Sequence, residues 1–499
     1  MSVTSARGTR GATDSRARVP VLLDVPQALR AKAVWVLETL CAAAGCGLEI
    51  VPAPEPARGA ALAYAPRPVA GVPTIPVSHE ALRTVELGAD LPAGSFRSFD
   101  EPVPLVGAFP VEDQGFAVPF DLVASAFLLL AAWDEHVRPG RDRHGRFPYD
   151  LSFFATESAL DPSQPALDGY VAVLRRLLSE SVDLVPGRWR HPKAETPDAS
   201  FAVALTHDVD DVWRWTPRGL AAALRRAVLD LGARDYARSR WELEGVLEGL
   251  GRHLPRGTDP YWTFPDLLRR EDALGVDSTF FVIASHHERL DGVEPAVYRR
   301  RSRALLRLLR AAARETGLHG NSRDRLDPAT LAEDRSRLQE MTIGSVRGMR
   351  FHYLRCLYHE TLPLLAAAGF AYDSSLAFAE HEGPRCALSF PFRPYFLAED
   401  RPLDLIELPL VVMDGTLQER HYRGLPVEQG LAAARRVLGA VRDAGGAAAL
   451  LWHNTRLDPL IARGYGRVYW ELVEWIRAEG GAATSAGDVV GQWRSRVER

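Results

Sequence analysis

The sequence predicts an α/β protein whose C-terminal part is a distorted (β/α) barrel of about seven strands, preceded by a smaller α/β domain. Three observations predict it. From residue 201 onward, short apolar runs alternate with amphipathic helical stretches, which is the mark of a parallel sheet with crossover helices. About seven such units occupy roughly 300 residues, the scale of a barrel whose working groups sit at the carboxyl ends of its strands. Between the two parts lies RWRHPKAETPDAS, residues 188–200, a polar, proline-containing linker that fits a domain boundary.

A chain of 499 residues is too long for one ordinary core, so two or three domains are expected. Hydrophobic content of 46% with 25% charged residues is that of a soluble globular protein. The formal net charge of −4 offers no general attraction to nucleic acid or anionic lipid, so no nucleic-acid partner is expected. The 4 cysteines, Cys41, Cys46, Cys356 and Cys386, form neither a CxxC pair nor a dense framework, which points to a reducing compartment. Residues 1–19 carry basic side chains with no apolar core after them, and read as a disordered tail rather than a secretory signal. No apolar run reaches membrane-spanning length, so no transmembrane segment is expected and the chain is placed in the cytoplasm.

The N-terminal domain is read over residues 20–190. VPVLLDV (19–25) predicts a strand, and PQALRAKAVWVLETLCAAAG (26–45) predicts a helix closed by Gly45. Short strands and loops follow to about residue 115, then a buried helix at 120–136, the polar loop RPGRDRHGRFPYD (138–150) and a helix near 168–181. His144 lies in that loop, and no chemistry is recognisable in this half.

The second domain, 200–490, opens on FAVALTHDVDD (201–211). A buried strand, Phe201 to Leu205, runs into Thr206, Asp208 and Asp210 at its carboxyl end. Alternation along a strand puts Asp208 and Asp210 on one side and His207 and Val209 on the other. Like charges that close either raise one pKa or call for a cation, which suits a metal ligand beside a general base. The plain alternative is a solvated acidic turn. Further strands are predicted at 278–285, 317–320, 348–354, 370–376, 404–413 and 447–453, with helices at 264–274, 296–315, 328–341, 356–368, 427–444 and 466–479. Residues 213–262 read as an inserted helical cap, with Trp213, Trp215, Tyr261 and Trp262 near its ends, placed either to pack the insertion or to stack on sugar rings. The remaining polar candidates fall on one rim: His286 and His287, His319, Arg350 and His352, Asp373, and His453 with Asn454.

These residues resemble the polysaccharide deacetylases of the NodB-homology type, carbohydrate esterase family 4. The likeness covers about 201–490 and rests on THDVD (206–210), STFFV (278–282), ETGLHG (315–320) with MRFHYL (349–354), YDSS (372–375) and LLWHN (450–454). The stretches FDLVASAF and HGRF are similar to an uncharacterised domain that often precedes such deacetylases. The resemblance implies a hydrolase of carbon–nitrogen bonds other than peptide bonds, with a carbohydrate substrate. It implies that Asp208 is the base, that Asp210 and His319 bind a divalent metal, and that Arg350 holds Asp208 ionised. It further implies that His453 donates a proton to the leaving amine, with Asp373 tuning it.

In one place the pattern departs from the family. A second metal-binding histidine usually follows the first by four positions, and here that position is Arg323, which cannot ligate a metal. His352 is the replacement expected, because Arg350 and His352 lie two apart on a strand and would point together into the barrel mouth; His286, His287 and Asn321 are weaker candidates. A hydrogen-bonded core histidine is the alternative reading of His352. A carboxylate and imidazole set favours zinc among divalent ions. Removal of N-acetyl groups from an amino sugar or polysaccharide is the leading expectation. The rivals are a deacetylase fold that has lost activity and only binds carbohydrate, and a hydrolase of a small non-polymeric C–N compound.

Overall fold

Apolar runs in the N-terminal part become strands of a parallel sheet, of which Leu62–Ala65 and Thr74–Pro76 are buried at every position. β1 (Arg18–Leu23), β2 (Gly47–Pro52), β3 (Leu62–Ala65) and β4 (Thr74–Pro76) form a 4-stranded parallel sheet in the order β2-β1-β3-β4. The crossover helix Gln27–Ala44 stops at Gly45, whose φ of 100° lets its N–H reach back to the carbonyls of Cys41 and Ala42. A two-stranded antiparallel ribbon, β5 (Arg97–Phe99) with β6 (Leu105–Gly107), follows. The computed structural model describes residues 17–52, 59–100, 105–113, 115–185, 188–190, 198–251, 259–285, 295–321, 327–458, 461–462 and 464–498.

The helix expected over 120–136 is two helices, Leu122–Leu130 and Trp133–Val137. Ala132 between them takes a left-handed φ of 46°, which breaks the first helix and turns the second toward the barrel.

The second part is built on a parallel sheet of 9 strands. Its strands are β7 (Phe201–Val209), β8 (Thr279–Val282), β9 (Glu315–Gly320), β10 (Gly348–Phe351), β11 (Tyr372–Asp373), β14 (Ile406–Glu407), β15 (Leu410–Met413), β16 (Ala447–Leu451) and β17 (Gly481–Thr484). A separate antiparallel pair, β12 (Tyr395–Phe396) with β13 (Arg401–Pro402), lies outside it. The hydrogen-bonded path runs β14-β11-β10-β9-β8-β7-β16-β15, with β17 on β7.

Its two ends, β14 and β15, are consecutive in the chain. Leu408 donates its N–H to Asp373, and the Pro409 carbonyl accepts from Ala449. One stretch of backbone therefore joins both edges of the sheet, which is how the distorted barrel closes.

β7 is buried at every position and extends past the expected Leu205, because Thr206 to Val209 pair with Thr279 to Val282 of β8. β10 is shorter than expected and ends at Phe351. His352 lies in a tight turn where Tyr353 and Leu354 have left-handed φ values of 60° and 54°. The helix expected from 356 starts only at Thr361.

The insertion between β7 and β8 holds two long helices, Pro217–Gly232 and Tyr236–Gly251. Inside it, Arg214 lies over the rings of Trp215, Trp241 and Tyr261 and pairs with buried Glu242, so these aromatics pack the insertion. One cluster of buried apolar side chains runs through both parts of the chain, from Val19 to Trp493. Among the described residues, no helix is long and apolar enough to cross a membrane.

Candidate metal centre

The strand ends bring the polar groups together. Asp208, the eighth residue of the buried β7, and Asp210, just past its end, face the cleft; His207 points away, between the Trp452 carbonyl and buried Glu271. From β9, His319 places Nε2 3.0 Å from Asp210 Oδ1 and 3.9 Å from Asp208 Oδ2. Its Nδ1 lies 2.9 Å from the Arg350 carbonyl, which can only accept, so Nδ1 carries the hydrogen and the Nε2 lone pair faces Asp210. Two acceptors at that distance repel unless a proton or a metal ion lies with them.

His352 reaches the same place by another route. The strand expected to carry it has already ended, yet its Nε2 is 3.7 Å from Asp210 Oδ1. One ligand atom each from Asp210, His319 and His352 lies within 4.8 Å of the others, so the three residues can hold a divalent ion.

Arg350 is fully buried. Its Nη1 is 3.4 Å from Asp208 Oδ1, and its Nη2 donates to Thr206 Oγ1 at 3.3 Å and Ser374 Oγ at 3.0 Å. The guanidinium is thus fixed from three sides with its charge toward Asp208.

His453, just beyond β16, turns Nε2 to within 3.5 Å of Asp210 Oδ2. Asp414 holds it from behind: its Oδ1 accepts from Nδ1 at 2.7 Å and its Oδ2 from the backbone N–H at 2.6 Å. Burial acts to lower the His453 pKa, but Asp414, Asp210 and Asp208 outweigh it and push the value up to about 9. Burial likewise acts to raise Asp210, but His352, His453 and His319 prevail and hold it well below the usual carboxylate range.

Asp373, expected to tune His453, makes its hydrogen bonds elsewhere. It accepts from Ser375 N and Ser375 Oγ, both at 2.8 Å, and lies beside Glu407. Burial, then the charge of Asp373, push the Glu407 pKa well up, while the charge of Arg350 pulls it back in part. The partner of His453 is Asp414. Sequence reasoning missed it, although an Asp directly after the apolar run of β15 repeats the signal that singled out Asp208 and Asp210.

Asn321 donates to Asp334 Oδ2 at 2.6 Å, turned to that carboxylate rather than to Asp210. His286, His287 and Arg323 lie outside the described residues. His144 of the N-terminal loop comes to this rim and stacks on Tyr353.

A model of a family of unknown function (DUF7033) matches residues 47–183. No curated protein matches the chain. Among solved structures, the chain is similar to two bacterial proteins assigned as polysaccharide deacetylases. One is from Mycobacterium smegmatis, at 20% identity and a TM-score of 0.40, covering 63% of this chain and 96% of that one. The other is from Pseudomonas aeruginosa PAO1, at 14% identity and a TM-score of 0.37, covering 61% and 94%. The chain is also similar to Puue allantoinase, at 14% identity and a TM-score of 0.39, covering 61% and 94%.

Proposed function

We propose that the chain is a metal-dependent hydrolase that removes N-acetyl groups from an amino sugar or polysaccharide. The observation that carries the reading is the convergence of Asp210, His319 and His352, with Asp208 on one side and His453 on the other. Two imidazoles and a carboxylate suit zinc. Bound there, zinc would supply a Lewis acid for the acetamide carbonyl and acidify the attacking water.

The chain's own residues supply the proton transfers. Asp208, paired with Arg350, accepts the proton of the attacking water. His453, protonated at neutral pH, gives its proton to the departing amine, without which the amine cannot leave. Asp414 fixes the ring so that Nδ1 stays protonated and Nε2 serves the cleft. Thr206 and Ser374 hold the Arg350 guanidinium in place beside Asp208.

The test is metal analysis of full-length protein purified without chelator, together with acetate release from N-acetylglucosamine and its oligomers. A bound divalent ion, and acetate release abolished by Asp210→Ala, are expected. Protein without metal that releases no acetate, or an Asp210→Ala variant as active as the parent, rules the reading out.

A further inference from the structure

The N-terminal half reaches the site through one small turn. In Asp142–Arg146, the Asp142 Oδ1 accepts the backbone N–H groups of His144 at 2.8 Å and Arg146 at 2.9 Å, and Gly145 supplies a left-handed φ of 75°. Arg146 folds back on the same carboxylate, donating Nε at 2.8 Å and Nη2 at 2.6 Å to Oδ2. What remains, Nη1, donates to the Tyr353 carbonyl at 3.0 Å. His144 lays its ring on Tyr353, 5.0 Å between centroids and 15° from parallel. Tyr353 in turn lies 4.0 Å and 13° from the ring of His352.

The residues after Tyr353 are held from the same half. Glu135 accepts the Tyr358 N–H at 2.8 Å, and the Ala132 carbonyl faces His359 Nε2 at 3.3 Å.

We infer that the N-terminal half is a positioning element for the metal centre: it clamps the 353–359 stretch so that His352, which no strand holds, faces Asp210 and His319. Of the other two, His319 lies within β9, and Asp210 directly follows Val209, which is still paired with Val282 of β8. His352 follows the last residue of β10, and the left-handed Tyr353 and Leu354 after it are a backbone conformation that surrounding contacts must enforce. Arg146 and His144 supply those contacts. Both are positioning residues, acting on His352 through Tyr353. The inference rests on the metal reading above and adds a role for the half that shows no chemistry of its own.

The test is binding of Zn²⁺ and Co²⁺ to the full-length protein by competition with a chromophoric chelator, with the visible spectrum of the Co²⁺ form. Arg146→Ala and His144→Ala are expected to weaken binding about 10-fold or more, as loss of a ligand's supporting contact does, and to alter the Co²⁺ bands. His144→Phe, which keeps a ring on Tyr353, is expected to restore both. If His144→Ala and a folded Arg146→Ala bind both ions as the parent does, with an unchanged spectrum, the clamp is overturned while the metal reading stands. Should Arg146→Ala not fold, the His144 pair decides alone. If the parent binds neither ion, or His352→Ala changes neither affinity nor spectrum, the ligand set itself is wrong and the clamp falls with it.

Discussion

Both halves of the chain bury carboxylates, but surround them differently. In the N-terminal half, Asp121 accepts from Tyr64 Oη at 3.0 Å, Ser78 N at 2.8 Å and Ala124 N at 2.9 Å, and Glu157 accepts from the backbone of Gly94 and Phe96. Those donors are mostly backbone, so each carboxylate ties one loop or helix end to another. In the barrel, Asp208 and Asp210 face Arg350, His319, His352 and His453. Those partners are side chains, three of them imidazoles. A carboxylate met by backbone N–H groups holds shape; one met by titratable side chains can move protons or bind an ion.

The sharpest way to break this contrast is to neutralise one carboxylate of each kind. Asp208→Asn removes the proposed base while keeping its shape, so acetate release should fall about 10² to 10⁴-fold, with the thermal midpoint little changed. Asp121→Ala should do the reverse. It leaves several buried donors unsatisfied and uncaps the helix Leu122–Leu130, costing about 2–4 kcal/mol by denaturant unfolding. Zn²⁺ affinity of the folded variant should stay at the parental value. If Asp208→Asn instead loses stability and keeps its activity, the barrel carboxylates are structural too.

A milder change tests the acceptor behind His453. Asp414→Asn removes the largest favourable charge on the imidazole, so kcat should fall about 10-fold at neutral pH. The sign of the pH effect follows from the raised pKa. In the proposed mechanism His453 gives the proton, and its pKa is pushed up to about 9, so activity should be lost as pH rises through that value. Without Asp414 the alkaline limb should move to lower pH. A pH profile of kcat that does not move would place the acid elsewhere.

How much of this could be read in advance follows the physics of each element. Strands such as β7 and β16 are long apolar runs ending in polar residues, so Asp208, Asp210 and His453 stand out at their ends. His319 and Arg350 stood out for the same reason on β9 and β10. His352 was chosen by strand alternation, and that argument does not apply beyond Phe351; it sits at the start of a turn of left-handed residues, and a loop 207 positions away in sequence contacts the next residue, Tyr353. Periodicity carries no information on such contacts. Asp414 was hidden because residues 404–413 read as one strand, whereas the chain changes pairing partner at Leu408 and Pro409 and delivers the next acidic residue to the rim. The shortened helix at Thr361 has the same origin: residues 353–360 are committed to the N-terminal half before a helix can begin.

The last test lies where the two halves meet. Asp168, in the first turn of the helix Ala166–Leu178, accepts the Ser389 N–H at 2.9 Å, while its other oxygen has no hydrogen-bond partner among the described residues. Burial pushes its pKa up to about 7; the Ser389 bonds and the charge of Arg175 pull it back only in part. A carboxyl raised in the fold favours the neutral form, so its stabilising contribution is whole below the ordinary value near 4 and is lost as pH rises through about 7. An asparagine keeps the acceptor for Ser389 and never ionises. Asp168→Asn should therefore gain on the parent as pH rises from about 4 to 7 and hold a constant advantage above, on the order of a few kcal/mol. Unfolding midpoints of the two proteins across that range measure it. A difference that is flat with pH would mean that Asp168 is paired in the fold, and that the contact between halves carries its charge as comfortably as the barrel carries Asp210.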